Sequence, residues 1–226
     1  MKERPILFSA SMVRAIIDGR KTQTRRVVKP QPYLDSMGNA CWNGLNFGQD
    51  ADGTPHFQQL ASPLPSSKTK RVHCPFGAPG DRLWVRENFQ PLLADNVDWH
   101  DANYKTGEGY LASYPATDGV QEFYDMANDN AFCSRVTPSI HMPRWASRIT
   151  LEVIGVRVER LQSISEADAD AEGADPILVP PDGGSRPYTE GFRSLWDRIN
   201  GAESWGANPW VWVVAFRRVE QEEARR

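Results

Sequence analysis

Glycine and proline crowd residues 30–80, through Pro30, Pro32, Gly38, Gly44, Gly48, Gly53, Pro55, Pro63, Pro65, Pro75, Gly77, Pro79 and Gly80. Residues 95–143 are similarly rich in Asp, Asn, Gly and Tyr. Neither stretch holds a period of 2 or 3.6 residues, so neither supplies a regular crossover helix between extended segments. Loops of this length are unusual inside a compact domain, which marks both as insertions that cover a face or line a pocket. Strands without crossover helices argue against a doubly wound sheet and for a small barrel with helices packed outside it. A chain of 226 residues suits one domain, 1–226, with insertions at about 30–79 and 90–146.

The segments between the insertions are patterned. Met12, Val13, Ile16 and Ile17 fall on one side of a short helix, with Ser9 or Ser11 to cap it and Gly19 to close it. Thr22 to Val28 reads as a strand stopped by Pro30, and Asp81 to Phe89 as a second one. In Ser147 to Arg160, Ile149, Leu151, Val153 and Gly155 alternate with Thr150, Glu152, Ile154 and Val156. Ser165-Glu166-Ala167-Asp168 resembles a capping box that opens a helix ending at Gly173. A further helix runs from about Thr189 to Ile199 on a stripe of Phe192, Leu195, Trp196 and Ile199. The closing strand, Pro209 to Val219, is apolar from Trp210 to Phe216 and so is expected to be buried on both faces.

The net charge of −3 conceals an asymmetry. Residues 1–29 hold eight Lys/Arg against two acids, and residues 161–203 hold three Arg against nine acids. Such a balance disfavours a wholly basic nucleic-acid binder. It leaves a local cationic site, or two segments that neutralise each other across the fold. No apolar run reaches the roughly 20 residues of a membrane span, and Met1 to Pro5 lacks a signal-peptide core. Cys41, Cys74 and Cys133 cannot all pair within one chain, so a soluble cytoplasmic protein is expected.

Gly19 to Arg26, Gly-Arg-Lys-Thr-Gln-Thr-Arg-Arg, concentrates polar chemistry where the first helix gives way to a strand. Three readings fit. Arg20, Lys21, Arg25 and Arg26 could contact phosphate. Thr24 or Thr22 could be a hydroxyl nucleophile beside the amine of Lys21. The third reading is a solvated edge strand guarded by its charges. The Gly-x-x-x-x-Gly-Lys-Ser/Thr phosphate loop is absent.

A helix ending in Gly-Arg-Lys-Thr-x-Thr-x-Arg, early in a chain that closes on an aromatic strand, resembles the ASCH domain, a relative of the PUA domains of RNA-modifying proteins. The resemblance covers residues 5–29, 80–89, 147–173 and 188–219, roughly half the chain. Trp84-Val85-Arg86-Glu87 and Trp210-Val211-Trp212-Val213 are similar to longer members encoded by phages and prophages. The resemblance implies an α+β fold on a small PUA-like β-barrel with flanking helices. It also implies an activity, because small bacterial members remove an acyl group from N4-acetylcytidine with a lysine, a threonine three positions later and a glutamate on a later helix. These roles fall on Lys21, Thr24 and Glu172. No cofactor is implied, and the partner implied is a nucleoside, with RNA second. A non-catalytic RNA- or modified-nucleotide-binding module, or a ribonuclease using the same basic strand, are the competing functions.

Elementary geometry constrains these roles. Residues two apart share a strand face, so Thr22, Thr24 and Arg26 lie together while Lys21 points away unless the chain bulges or its stem curls round. A lysine base must be neutral part of the time, which burial and neighbouring cations favour and a close carboxylate opposes. Glu172, in the last turn of its helix, lies beside the negative end of the dipole, a position suited to carrying a proton. Arg26, Glu87 and Trp205 are the candidates for binding substrate, against the plainer readings of a salt bridge for Glu87 and core packing for Trp205. Metal binding is not expected: Cys41, His56, His73, Cys74, His100, Cys133 and His141 lack ligand spacing, and Asp95, Asp98 and Asp101 lack the rest of a calcium loop.

Overall fold

The computed structural model describes residues 1–29, 31–34, 40–42, 45–49, 55–59, 71–93, 105–106, 110–114, 136–177 and 186–219. Its elements are β1 (Glu3–Leu7), α1 (Ala10–Ile17), β2 (Gln23–Val27), β3 (Tyr33–Leu34), β4 (Ala40–Trp42), β5 (Leu45–Gln49), β6 (Pro55–Gln59), β7 (Arg71–His73), β8 (Arg82–Arg86), β9 (Gln90–Leu93), β10 (Tyr110–Ser113), β11 (Thr150–Arg160), α2 (Glu166–Ala171), α3 (Pro187–Asn200) and β12 (Trp210–Val219). The architecture is mixed α+β. Five strands hydrogen-bond in the order β1-β8-β11-β12-β2, and among the described residues no sheet closes into a barrel.

Two compact units make up the chain, one of residues 1–2, 19–81 and 152–217, the other of 3–18, 82–151 and 218–226. In the first unit β12 runs antiparallel to β2, pairing Val213 with Arg25 and Val214 with Thr24. Val211, Trp212, Val213 and Val214 are all buried, as a strand covered on both faces must be. Val211 and Val213 join Leu161, Ile164, Ala169, Ala174, Phe192 and Trp196 in one core. Full burial of such aliphatic side chains stabilises by about 1.5–3 kcal/mol each, which holds α2 and α3 to the sheet. Ser165 caps α2 by accepting the Asp168 N–H at 3.1 Å. The Glu166 carboxylate accepts the N–H groups of Tyr188 and Thr189, both at 3.0 Å, and so serves two donors that the first turn of α3 leaves without an intrahelical acceptor.

The expectation that residues 30–79 form an irregular insertion is corrected. Antiparallel strands β3 to β7 follow one another in sequence order across this stretch. These strands have two to five residues each and lie among the glycines and prolines that punctuate the stretch, so no sustained period marks them. The second insertion likewise contains a hairpin, with Tyr110 opposite Leu93 and Ser113 opposite Gln90.

In the second unit β1 lies parallel to β8, Glu3 opposite Arg82 and Leu7 opposite Arg86. Helix α1 buries Val13, Ala15 and Ile16, whereas Ile17, expected on the same stripe, is 38 % exposed. Ser9 occupies the cap position without a capping hydrogen bond; its hydroxyl lies 3.1 Å from that of Ser11.

Helix α3 approaches the chain near Asp175 so closely that a Cβ on Gly191 would sit 2.0 Å from the Asp175 carbonyl oxygen. Glycine is therefore needed there despite a helix-propensity penalty of about 1 kcal/mol relative to alanine. Gly191→Ala is expected to destabilise the protein by about 1–3 kcal/mol through overpacking against backbone. The measurement is the denaturation midpoint; a midpoint unchanged or raised would show that α3 shifts freely.

Candidate functional site

Lys21 and Glu172 meet because their backbones do. Gly19, at φ +75°, turns the chain after α1, and Lys21 then forms an isolated antiparallel bridge with Glu172, the C-cap residue of α2. The Thr22 N–H donates to the Ala171 carbonyl at 2.8 Å, while the Thr22 carbonyl accepts from Phe216 at 2.8 Å. The start of β2 is thus held on one side by β12 and on the other by the end of α2.

The side chains complete this junction. Lys21 Nζ donates to Glu172 Oε2 at 2.8 Å, to the Glu172 carbonyl at 2.7 Å and to the Gln23 carbonyl at 2.8 Å. Those three acceptors use every N–H of an ammonium group. The other Glu172 oxygen, Oε1, accepts from Arg25 Nη1 at 3.1 Å. Arg25 Nη2 donates to Glu159 Oε1, and to Asp168 Oδ2 at 3.2 Å. Arg157 bonds the same two carboxylates, Nε to Glu159 at 3.0 Å and Nη2 to Asp168 at 2.9 Å. Gln23 Nε2 adds donations to the Asp168 carbonyl at 2.7 Å and to Oδ1 at 2.9 Å. Lys21, Arg25 and Arg157 thereby balance Glu159, Asp168 and Glu172.

Burial pushes the Lys21 ammonium below its ordinary value, Glu172 opposes that shift, and Arg26 and Arg25 reinforce it. Burial works in the opposite sense on Asp168, but the Gln23 hydrogen bond and the Arg157 and Arg25 charges outweigh it and hold the carboxyl below its usual range. For Arg157 burial is likewise overcome, by Glu159 and Asp168, so its guanidinium is held above its ordinary value. Burial lowers Arg26, with Glu172 in partial opposition.

Lys21 and Glu172 are each 2 % exposed and in contact, and Thr24 is 3 % exposed on the adjoining strand. The pleat of β2 turns Thr24 and Arg26 to the face opposite Gln23 and Arg25. Arg26 lies 5.9 Å from the Phe76 ring and acts electrostatically on both Lys21 and Glu172. An acid beside the edge of β2 is thus charge-coupled to residues on both faces of the strand. Glu87 belongs to the other unit, where Arg148 holds it bidentately at 3.0 and 3.2 Å while stacking on Tyr114 at 3.8 Å. Trp205 packs edge-on to Phe192, centroids 6.2 Å apart, against the first unit's core.

Glu159, Asp168 and Arg157 are not among the site candidates that the sequence supplies, and Arg25 is there only as one of four cations able to contact phosphate. Signals for them exist: Asp168 and Glu172 are four apart on one helical element, and Arg157 and Glu159 are two apart on a strand. The opposite charges of residues 1–29 and 161–203 do meet here, through Lys21 with Glu172 and Arg25 with Asp168 and Glu172. Among the described residues no three His, Cys, Asp or Glu side chains are placed to hold a metal ion. His100, Cys133, Asp95, Asp98 and Asp101 lie outside the described residues. No described helix is long and apolar enough to cross a membrane. The chain matches no protein-family model, no curated protein and no solved structure.

Two outcomes follow from the electrostatics. Lys21→Met strips Glu172 of one of its two cationic partners, and breaking a buried pair costs about 3–5 kcal/mol, read as a fall in the denaturant midpoint. Asp168, held below its unfolded value of about 3.9, contributes stability above that pH and loses it as the pH falls through the folded value. The Tm of the wild type is therefore expected to exceed that of Asp168→Asn near neutrality, with the gap narrowing below about pH 4. A gap independent of pH would remove the ionic contribution of Asp168.

Proposed function

We propose that this chain is a cytoplasmic amidohydrolase of the ASCH type, on a PUA-like scaffold, that removes an acyl group from the exocyclic amine of an N4-acetylcytidine-like nucleoside. The observation that carries this reading is the buried contact between Lys21 and Glu172 at 2.8 Å. These are two of the three residues, separated by 151 positions, that the family resemblance assigns to catalysis.

The chemistry begins with the pair. A proton passing from the Lys21 ammonium to Glu172 converts the ion pair into a neutral amine and a carboxylic acid; burial of Lys21 favours its neutral form. Thr24 Oγ then bonds to the acyl carbon, its proton moves to the Lys21 amine, and the carbonyl electrons form an oxyanion. Backbone N–H groups or Arg26 stabilise that charge. As the C–N bond breaks, Glu172 gives its proton to the departing cytosine nitrogen, which leaves an acyl ester on Thr24 and restores the ammonium–carboxylate pair. Water attacks the ester by the same relay and releases the carboxylic acid and Thr24.

The saturation of Lys21 favours a second reading. All three of its donors are already engaged, as in a rigid element of a module that binds a modified nucleotide or RNA without reacting with it. Incubation of the purified, chelator-treated chain with N4-acetylcytidine separates the two. The hydrolase releases cytidine, and Thr24→Ala lowers kcat by about 10³-fold or more. Thr24→Ala that hydrolyses at the wild-type rate would remove Thr24 as nucleophile. Ligand affinity without turnover would leave the binding module.

A further inference from the structure

Arg25 is wholly buried, and its guanidinium serves three carboxylates from two elements: Glu172 and Asp168 of the α2 segment and Glu159 of β11. Among the described residues its Nε has no hydrogen-bond partner, so its engagement passes through Nη1 and Nη2. A buried donor left unsatisfied costs free energy, and ion pairs in the interior add little net stability over apolar packing. The effect of this arrangement therefore lies in geometry.

We propose that Arg25 is a positioning residue for the Lys21–Glu172 pair, holding Glu172 by one oxygen so that the other faces Lys21 Nζ, while Glu159 and Asp168 fix Arg25 in turn. This rests on the hydrolase reading for its catalytic consequence but not for its geometry. A carboxylate gripped by Lys21 alone could rotate about its terminal torsion; a second cation on Oε1, at 3.1 Å, removes that freedom. Arg157 closes the arrangement by bonding both carboxylates that hold Arg25. The charged groups facing Lys21 are Glu172 from α2 and Arg25 and Arg26 from β2; Glu159, Arg157 and Asp168 act on it through Arg25. Arg25 also opposes the Lys21 positive charge and so makes the amine easier to deprotonate, as a base working near neutrality requires.

The test compares the full chain with Arg25→Met and Arg25→Lys, using two readouts: the side-chain ¹⁵N titration of Lys21, and the pH profile of N4-acetylcytidine hydrolysis. In Arg25→Met the Lys21 midpoint is expected to move upward, the basic limb of the kcat profile to move with it, and kcat to fall about 10²-fold with KM near that of the wild type. Arg25→Lys keeps the charge but loses the planar fork, so the Lys21 midpoint stays near that of the wild type while kcat falls about tenfold. A loss of kcat in Arg25→Met with both the profile and the Lys21 midpoint unmoved would overturn the proposal, as would full activity in Arg25→Lys. If Arg25→Met does not fold, the Arg25→Lys comparison decides alone. If the wild type does not hydrolyse acetylcytidine, the hydrolase reading fails by itself, and an unmoved Lys21 midpoint in Arg25→Met still overturns the coupling.

Discussion

A lysine ammonium removed from water must be paired and fully hydrogen-bonded, or it loses its proton. Lys21 satisfies that condition with three acceptors, one from Gln23 and two from a residue 151 positions away. The end of α2 must therefore lie against the start of β2, and the backbone bridge between Lys21 and Glu172 places it there. Glu159 of β11 and Asp168 of α2 then have a defined cation, Arg25, to meet. The first unit thus has two kinds of glue: an apolar core between β12 and the helices, and an ionic cluster where β2, β11 and α2 converge.

The two act differently. The apolar core, with Val211, Val213, Phe192 and Trp196 at its centre, supplies favourable free energy roughly in proportion to the area it buries. The ionic cluster supplies little net energy relative to apolar packing, but any member lost leaves an uncompensated charge. The second unit applies the same rule on a smaller scale, with buried Glu87 held bidentately by Arg148 and Arg148 covered by Tyr114.

Much of the local structure was legible. The alternation Ile149-Leu151-Val153 gave β11, Ser165 gave the start of α2, and the apolar run from Trp210 gave a strand buried on both faces. The meander β3 to β7 was not legible, because its strands of two to five residues lie among glycines and prolines that read as turns. Ile17 was misplaced: it is the last residue of α1 and is exposed, while Val13, Ala15 and Ile16 are buried. In the candidate site Lys21 and Glu172 are named as a pair by the family resemblance alone, and Arg25 only as one cation in a basic run. Its role depends on Glu159 and Asp168, residues 134 and 143 positions away.

The chain by itself determined its regular segments, its opposed charges and the residue types able to exchange a proton, because these follow from local periodicity, capping and side-chain chemistry. Only the tertiary structure decided which cation meets which carboxylate. Six charged side chains admit many pairings of similar Coulomb energy, and the choice among them is made by hydrogen-bond geometry accurate to a few tenths of an ångström. That geometry exists once β12, β2 and α2 are packed, and no spacing along the chain encodes it.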